Sequence, residues 1–198
     1  MKYKSVCIVG IDGTGKSSAV KNLQKKIGKG KAVIQYMGAK QWESNLGVKY
    51  FVKKNYKGPL KPLIWVVSYI YEMYYRYYKH QSEGKIVIFD RYAYEHALFR
   101  DNVERGFKGI IFNFIFKCAF LWFYPNPNKT FYLFCPLDVS LGRKSDITTE
   151  EEISNLKRNK LILDNFYKKR KDVILIDTTK INEDQVVTSI MNELKAIL

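Results

Sequence analysis

Val6-Cys7-Ile8-Val9-Gly10-Ile11-Asp12-Gly13-Thr14-Gly15-Lys16-Ser17 decides how the rest of the chain is read. The first four residues are continuously apolar, as in a short buried strand. The last eight match G-x-x-x-x-G-K-[ST] in full. From Ser17 to Ile27 the apolar residues Val20, Leu23 and Ile27 recur at helical spacing, and the pattern stops near Gly28 and Gly30. A strand, a glycine-rich turn and a helix in that order make a phosphate cradle. Gly10, Gly13 and Gly15 allow backbone conformations and close approaches that a Cβ would block. Successive N–H groups then converge on the anion. The helix N-terminus adds about half a positive charge. Lys16 is placed to reach the outer phosphates of a nucleoside triphosphate, and Ser17 to offer its hydroxyl to Mg²⁺. The residues expected to contact the nucleotide are Gly10, Asp12, Gly13, Thr14, Gly15, Lys16, Ser17 and Ser18.

Outward from this loop, apolar runs alternate with helical patterns. Further strands are expected at Ala32–Tyr36, Lys85–Phe89, Thr130–Cys135 and Val173–Asp177. Helices are expected over Trp42–Lys54, Leu63–Gln81, Tyr94–Arg105, Lys108–Phe123 and Glu183–Leu198. Two more fall within Val139–Arg170, broken near Ser145–Thr149. Strands alternating with helices imply an α/β fold with a parallel sheet covered on both faces. Five strands and a leading phosphate loop suit a P-loop NTPase three-layer sandwich with a helical lid. No repeat, low-complexity tract or linker marks a boundary, so residues 1–198 read as a single domain, with the lid at about 138–160.

Phe89-Asp90-Arg91-Tyr92 forms the second site element. It puts a carboxylate and a guanidinium at the carboxyl end of a central strand, where open α/β sheets bind ligands. Asp90 suits the hydration shell of Mg²⁺, which takes few carboxylates, so Ser17 and Asp90 are the expected metal residues. Arg91 suits a phosphate through its planar fork. Beyond the fourth strand, Arg143, Lys144 and Arg158 are candidates for lid cations, against the alternative of a solvated charged helix. Lys16, Asp90, Arg91 and Arg143 form the expected catalytic set. Asp146, Glu150, Glu151 and Glu152 read as acids favouring the next helix start.

Gly-Ile-Asp-Gly-Thr-Gly-Lys-Ser at residues 10–17, followed by Ile-Val-Ile-Phe-Asp-Arg-Tyr at 86–92, resembles the thymidylate kinase family of nucleoside-monophosphate kinases. The order and length of the elements fit over essentially the whole chain. The resemblance implies ATP and Mg²⁺ as the donor pair and a nucleotide monophosphate, dTMP or similar, as acceptor. It places Asp12 near the acceptor sugar, Arg91 on the acceptor phosphate and Lys16 on the transferred group. The chain also differs from the family. Tyr36-Met37-Gly38-Ala39 stands where the family usually carries Arg-Glu-Pro-Gly, and Arg76 is the only arginine on the helix before the Asp-Arg-Tyr strand. A nucleoside or other small alcohol as acceptor, or a non-kinase regulatory nucleotide binder, remain as alternatives.

Composition narrows the class further. The chain has 198 residues and a formal net charge of +15. Its lysines are scattered, with no arginine stripe or nucleic-acid module, which favours a solvated surface around a phosphate site over a nucleic-acid partner. No apolar run is long enough to span a membrane. The N-terminus begins near a strand, so no signal peptide is expected. Cys7, Cys118 and Cys135 read as reduced core cysteines, consistent with a cytoplasmic protein. Ile110–Tyr124 is expected to be buried or to form a homodimer, with a membrane-surface role less favoured. The helix bearing Trp65, Tyr69, Tyr71, Tyr74, Tyr75, Tyr77 and Tyr78 is expected to supply core, with one or two rings available to an acceptor. Glu72 on that helix reads as surface solvation, and His80 and His96 as structural.

Overall fold

A computed structural model describes residues 4–38, 43–44, 61–80, 83–99, 107–144 and 146–195. Along the chain these form β1 (Ser5–Val9), α1 (Lys16–Ile27), β2 (Ala32–Tyr36), α2 (Lys61–Tyr78), β3 (Ile86–Asp90) and α3 (Tyr94–Leu98). They continue as α4 (Phe107–Lys117), β4 (Lys129–Phe134), α5 (Leu137–Gly142), α6 (Glu150–Tyr167), β5 (Val173–Asp177) and α7 (Glu183–Leu194). The expected strands are present with ends shifted by a residue. The helix expected at Trp42–Lys54 lies outside the described residues except for Glu43 and Ser44, which are not helical. The one expected at Tyr94–Arg105 is helical to Leu98, and residues 100–106 are not described.

The chain divides into two compact units. The first comprises Met1–Tyr36, Gly84–Tyr92 and Asn126–Leu198. It holds a five-stranded, all-parallel sheet in the order β2-β3-β1-β4-β5. From β1 the chain runs out to β2, returns through β3, and passes to β4 and β5 on the other side. The reversal of direction therefore falls at β1, and the crevice at its carboxyl end is where such sheets bind ligands. Every residue of β1 is buried, as is all of β3 except Asp90, while the edge strands β2 and β5 are only partly buried. Helices α1 and α7 cover one face. Ala19, Val20 and Leu23 from α1 and Val186, Val187 and Ile190 from α7 close over Val6, Ile8, Ile88 and Leu133. On the other face α6 lays Tyr167 against Tyr132 with ring centroids 5.2 Å apart. Of the acids expected to favour the start of α6, Glu150, Glu151 and Glu152 lie in its first turn and Asp146 precedes it; Thr149 and Glu152 form a reciprocal capping box.

The second unit comprises Met37–Glu83 and Ala93–Pro125. Its core is aromatic. Trp65 and Tyr69 of α2 and Phe116 of α4 stack against one another, and Tyr69 also meets Phe120 edge to face. Both expected histidines are structural. His96 bridges the Tyr69 hydroxyl at 2.8 Å and the Met37 carbonyl at 2.7 Å, and His80 pairs with Glu83. The carbonyl can only accept, so His96 donates through Nε2 and accepts the hydrogen bond of the Tyr69 hydroxyl at Nδ1.

Two expectations are corrected in this unit. The helix expected as one piece to Phe123 changes after α4 into a π-helical turn, Cys118–Trp122. The buried residues are Phe116, Phe120 and Tyr124, every fourth position. An α-helix turns 100° per residue and would carry Tyr124 about 80° away from Phe116. The wider turn keeps all three on one face. The opposite face leaves Ile110, Phe114, Trp122 and Phe123 exposed, so this segment is only half buried. Glu72, expected at the surface, is fully buried and paired with the equally buried Arg76 at 2.8 Å. The Glu72 carboxylate also accepts the backbone N–H groups of Glu43 and Ser44, and Arg76 donates to the Gly38 carbonyl. Burial works against ionisation of Glu72, but the Ser44, Glu43 and Arg76 donors outweigh it and hold its pKa below the usual glutamate value.

Candidate phosphate-binding site

The loop after β1 is built to approach other groups closely. Gly10 and Gly13 both have positive φ, 153° and 84°. A Cβ on Gly10 would collide with the Leu133 carbonyl oxygen of β4, and one on Gly13 with the Ser140 carbonyl oxygen of α5. Two strands of packing therefore exclude side chains here, as the motif anticipates. The loop hands over to α1 at Gly15, also left-handed at φ 83°. Here α1 differs from the other long helices of this unit. Thr149 with Glu152 caps α6, and Asn182 with Gln185 caps α7, each by a reciprocal box. Helix α1 has neither a side-chain cap nor an acidic residue in its first turn. Its orphan N–H groups and dipole are left for an external anion.

A cleft of about 590 Å³ opens beside this terminus. The loop residues Asp12 to Ser18 form one wall, with Ser17 exposed. Arg143, Lys144, Thr178, Ile181, Asn182 and Glu183 line the rest. Of the three lid candidates, Arg143 and Lys144 reach the cleft, whereas Arg158 is exposed on α6 and does not line it. The Arg143 guanidinium is anchored by the Thr178 carbonyl at 2.7 Å, with a longer bond of 3.3 Å to the Thr178 hydroxyl.

At the crest of the sheet the expected charged residues meet. The pairing of β1 with β3 sets Ile8 beside Asp90, so the Asp90-Arg91 pair emerges next to the phosphate loop. Arg91 has φ 68°, uncommon for a residue with a side chain. Strand β1 holds it there: the Arg91 N–H donates to the Ile8 carbonyl, and the Cys7 thiol lies 3.7 Å from the Arg91 carbonyl. The turned backbone lets the guanidinium reach Asp12 at 2.7 Å. The Lys16 ammonium, almost wholly buried, donates to the same carboxylate at 3.2 Å and to the Ile11 carbonyl at 2.8 Å. Asp12 thus joins both cations. Burial raises its pKa, but Lys16 and Arg91 outweigh burial and leave it below the ordinary aspartate value. For Asp90 the balance reverses. Burial is the leading cause, Lys16 and Arg91 offset it only in part, Asp12 adds repulsion, and the pKa is raised.

Ser17 and Asp90 supply oxygen donors, the type a hard divalent cation takes. Among the described residues no group of three or more His, Cys, Asp or Glu is placed to hold a metal. A Mg²⁺ here would therefore rely on few protein ligands, which fits a cation that retains waters and binds through nucleotide phosphates. None of the three cysteines forms a disulfide; Cys7 and Cys135 are buried and Cys118 partly so. No described helix is long and apolar enough to cross a membrane.

Four contributors to the site carry no sequence signal. Ser140 of α5 is fully buried and donates its hydroxyl to the Asp12 carbonyl at 2.5 Å. Thr178 anchors Arg143. Ile181 and Asn182 complete the cleft at the start of α7.

A parallel sheet carrying a glycine loop and an uncapped helix at its switch point defines the class: this is the α/β fold of a P-loop protein, a five-stranded parallel sheet with helices on its faces. No protein-family model matches the sequence, and no curated protein matches it. Solved structures do. A thymidylate kinase from Candida albicans superposes with a TM-score of 0.63 at 17% identity, over 98% of this chain and 92% of that one. A deoxyadenosine kinase from M. mycoides, whose structure holds dCMP as product and a flexible dCDP, superposes with a TM-score of 0.59 at 18% identity, over 98% of this chain and 100% of that one. At such identities the likeness shows the fold.

Proposed function

We propose that this chain is a thymidylate kinase-like phosphotransferase that moves the γ-phosphate of ATP to a nucleoside monophosphate, dTMP or similar, with Mg²⁺ held through Ser17 and Asp90. The observation that carries this reading is the convergence of Lys16 and Arg91 on Asp12 beside an uncapped helix N-terminus. Phosphoryl transfer asks for little covalent chemistry from a protein; it needs phosphates held in line and equatorial charge stabilised. Backbone N–H groups of residues 13–18 cradle the donor. Lys16 leaves the Ile11 carbonyl and Asp12 for the outer phosphates. Arg91, released from Asp12, grips the acceptor phosphate. Arg143 and Lys144 enclose the donor from the cleft rim, as part of a lid at about 138–160 in a single kinase domain. Bound Mg²⁺ supplies positive charge to the donor phosphates. A cytoplasmic location and a homodimer belong to the same proposal, and the exposed Phe114–Trp122 face is apolar surface available to a second copy.

One observation favours a second acceptor class. Arg76, the arginine available on α2 for an acceptor phosphate, is fully buried against Glu72 and the Gly38 carbonyl. A nucleoside acceptor needs no such arginine, and one structural neighbour is a deoxyadenosine kinase. ADP release with ATP-Mg²⁺ separates the readings across nucleoside monophosphates, deoxynucleosides and small alcohols. Monophosphate-dependent release supports the main reading, nucleoside-dependent release the second. Release indifferent to every acceptor overturns both.

A further inference from the structure

The helix α5 is short, yet it touches both working parts of the cleft. Ser140, at its middle, donates its hydroxyl to the Asp12 carbonyl at 2.5 Å. The contact is close enough that Ser140 occupies the space a Cβ on Gly13 would need. Three residues on, Arg143 ends the helix, with its guanidinium fixed on the Thr178 carbonyl and facing the cleft. Ser140 is itself fully buried. A buried hydroxyl is costly unless its bond is made, and alanine would pack there without that requirement. The side chain of the residue it grips joins Lys16 at 3.2 Å to Arg91 at 2.7 Å.

We infer that Ser140 is a positioning residue of the phosphate loop: by holding the Asp12 carbonyl it sets where the Lys16 ammonium and the Arg91 guanidinium stand, and it ties them to the Arg143 end of α5. This rests on the phosphotransferase reading. The geometry explains the residue type. Anything larger than serine meets Gly13, and anything without a donor releases Asp12. The link is mechanical: a movement of α5 that carries Arg143 also pulls on Asp12.

The test is Ser140→Ala in the full chain, read in two ways. Backbone amides of residues 12–16 exchange hydrogen about 5-fold faster, the effect of one lost hydrogen bond, while those of β1, β4 and α7 do not change. With the acceptor found for the wild type, kcat falls by a similar factor while KM for ATP-Mg²⁺ stays within about twofold, because the loop's other N–H groups still bind phosphate. Unchanged exchange at 12–16 overturns the inference, and so does acceleration spread evenly over β1, β4 and α7. Local acceleration with kcat intact also overturns it, since the cations would then stand where they should without Ser140. If the wild type binds nucleotide but phosphorylates nothing, the kinase reading fails, and the exchange measurement alone decides whether Ser140 holds the loop.

Discussion

Replacing Arg76 by methionine separates a structural arginine from a substrate-reading one. Both Arg76 and Glu72 are fully buried, so their 2.8 Å contact is screened by almost no water. Methionine keeps much of the volume and removes the charge. The Glu72 carboxylate is then left with the Glu43 and Ser44 amides alone. Breaking one side of a buried pair typically costs about 3–5 kcal/mol. Losing the donor to the Gly38 carbonyl adds about 1 kcal/mol or more. A loss of about 4–6 kcal/mol is expected, a large share of the stability of an ordinary domain. The double variant Glu72→Gln with Arg76→Met should recover about 1–3 kcal/mol of it, because no uncompensated charge remains. Urea unfolding followed by tryptophan fluorescence suits the purpose, since Trp65 and Trp122 belong to the unit that holds the pair. Acid should act on the same pair. Glu72 has a lowered folded-state pKa, so its contribution is complete above the unfolded glutamate pKa and disappears as pH falls through the folded value. If Arg76→Met lowers stability by less than about 1 kcal/mol but raises the acceptor KM more than tenfold, Arg76 reads the acceptor and the clamp is wrong.

Other variants test the phosphate side. Gly13→Ala forces a side chain into a left-handed backbone, at about 1–2 kcal/mol, and drives its Cβ against the Ser140 carbonyl. Calorimetry should show ADP affinity reduced more than tenfold; affinity within twofold of wild type would mean that the loop has room. Asp90 has a raised pKa, so its ionised form is the costly one, and its neutral form adds stability that is lost as pH rises through the folded value. At neutral pH Asp90→Asn should therefore raise Tm while weakening the Mg²⁺ dependence of nucleotide binding. In the wild type the Asp90-dependent part of Mg²⁺-nucleotide affinity should be lost, as pH falls, at a value above the ordinary aspartate range near about 4. A lower Tm in Asp90→Asn, or a midpoint at or below that range, would contradict the electrostatics drawn here.

What the sequence disclosed follows the range of the interactions involved. The phosphate loop is a local device: eight consecutive residues contain the glycines, the lysine and the hydroxyl it needs, and Val6–Val9 and Val20–Leu23 announce its flanks. Strands β1 and β3 were legible because strands buried on both faces are continuously apolar, and the others because short apolar, β-branched or aromatic runs stand between helical patterns. The Asp90-Arg91 pair was legible as a motif, but not its geometry. The positive φ of Arg91 depends on contacts from Ile8 and Cys7, more than 80 residues away. Ser140 and Thr178 are common polar residues whose roles come from what lies across the fold, Asp12 and Arg143. Glu72 was misplaced at the surface for the same reason, since its amide partners at residues 43 and 44 are 29 and 28 positions distant. The π-helical turn carried no sequence signal: Phe116, Phe120 and Tyr124 recur every fourth residue, a spacing that an α-helix also spreads over only about 80°.

ADP release from ATP-Mg²⁺, followed with and without each acceptor in the wild type and in Lys16→Ala, bears on the phosphate cradle without intermediaries. The Lys16 ammonium lies within the loop at 2.8 Å from the Ile11 carbonyl and 3.2 Å from Asp12, so truncating it should leave the strand and helix around it folded. Wild-type protein should release ADP only when a nucleotide or nucleoside acceptor is present, and Lys16→Ala should lose at least about 100-fold of that rate with an unchanged circular dichroism spectrum. Full activity in Lys16→Ala, or ADP release that ignores every acceptor, would contradict the assignment of Gly10–Ser17 as the seat of phosphoryl transfer.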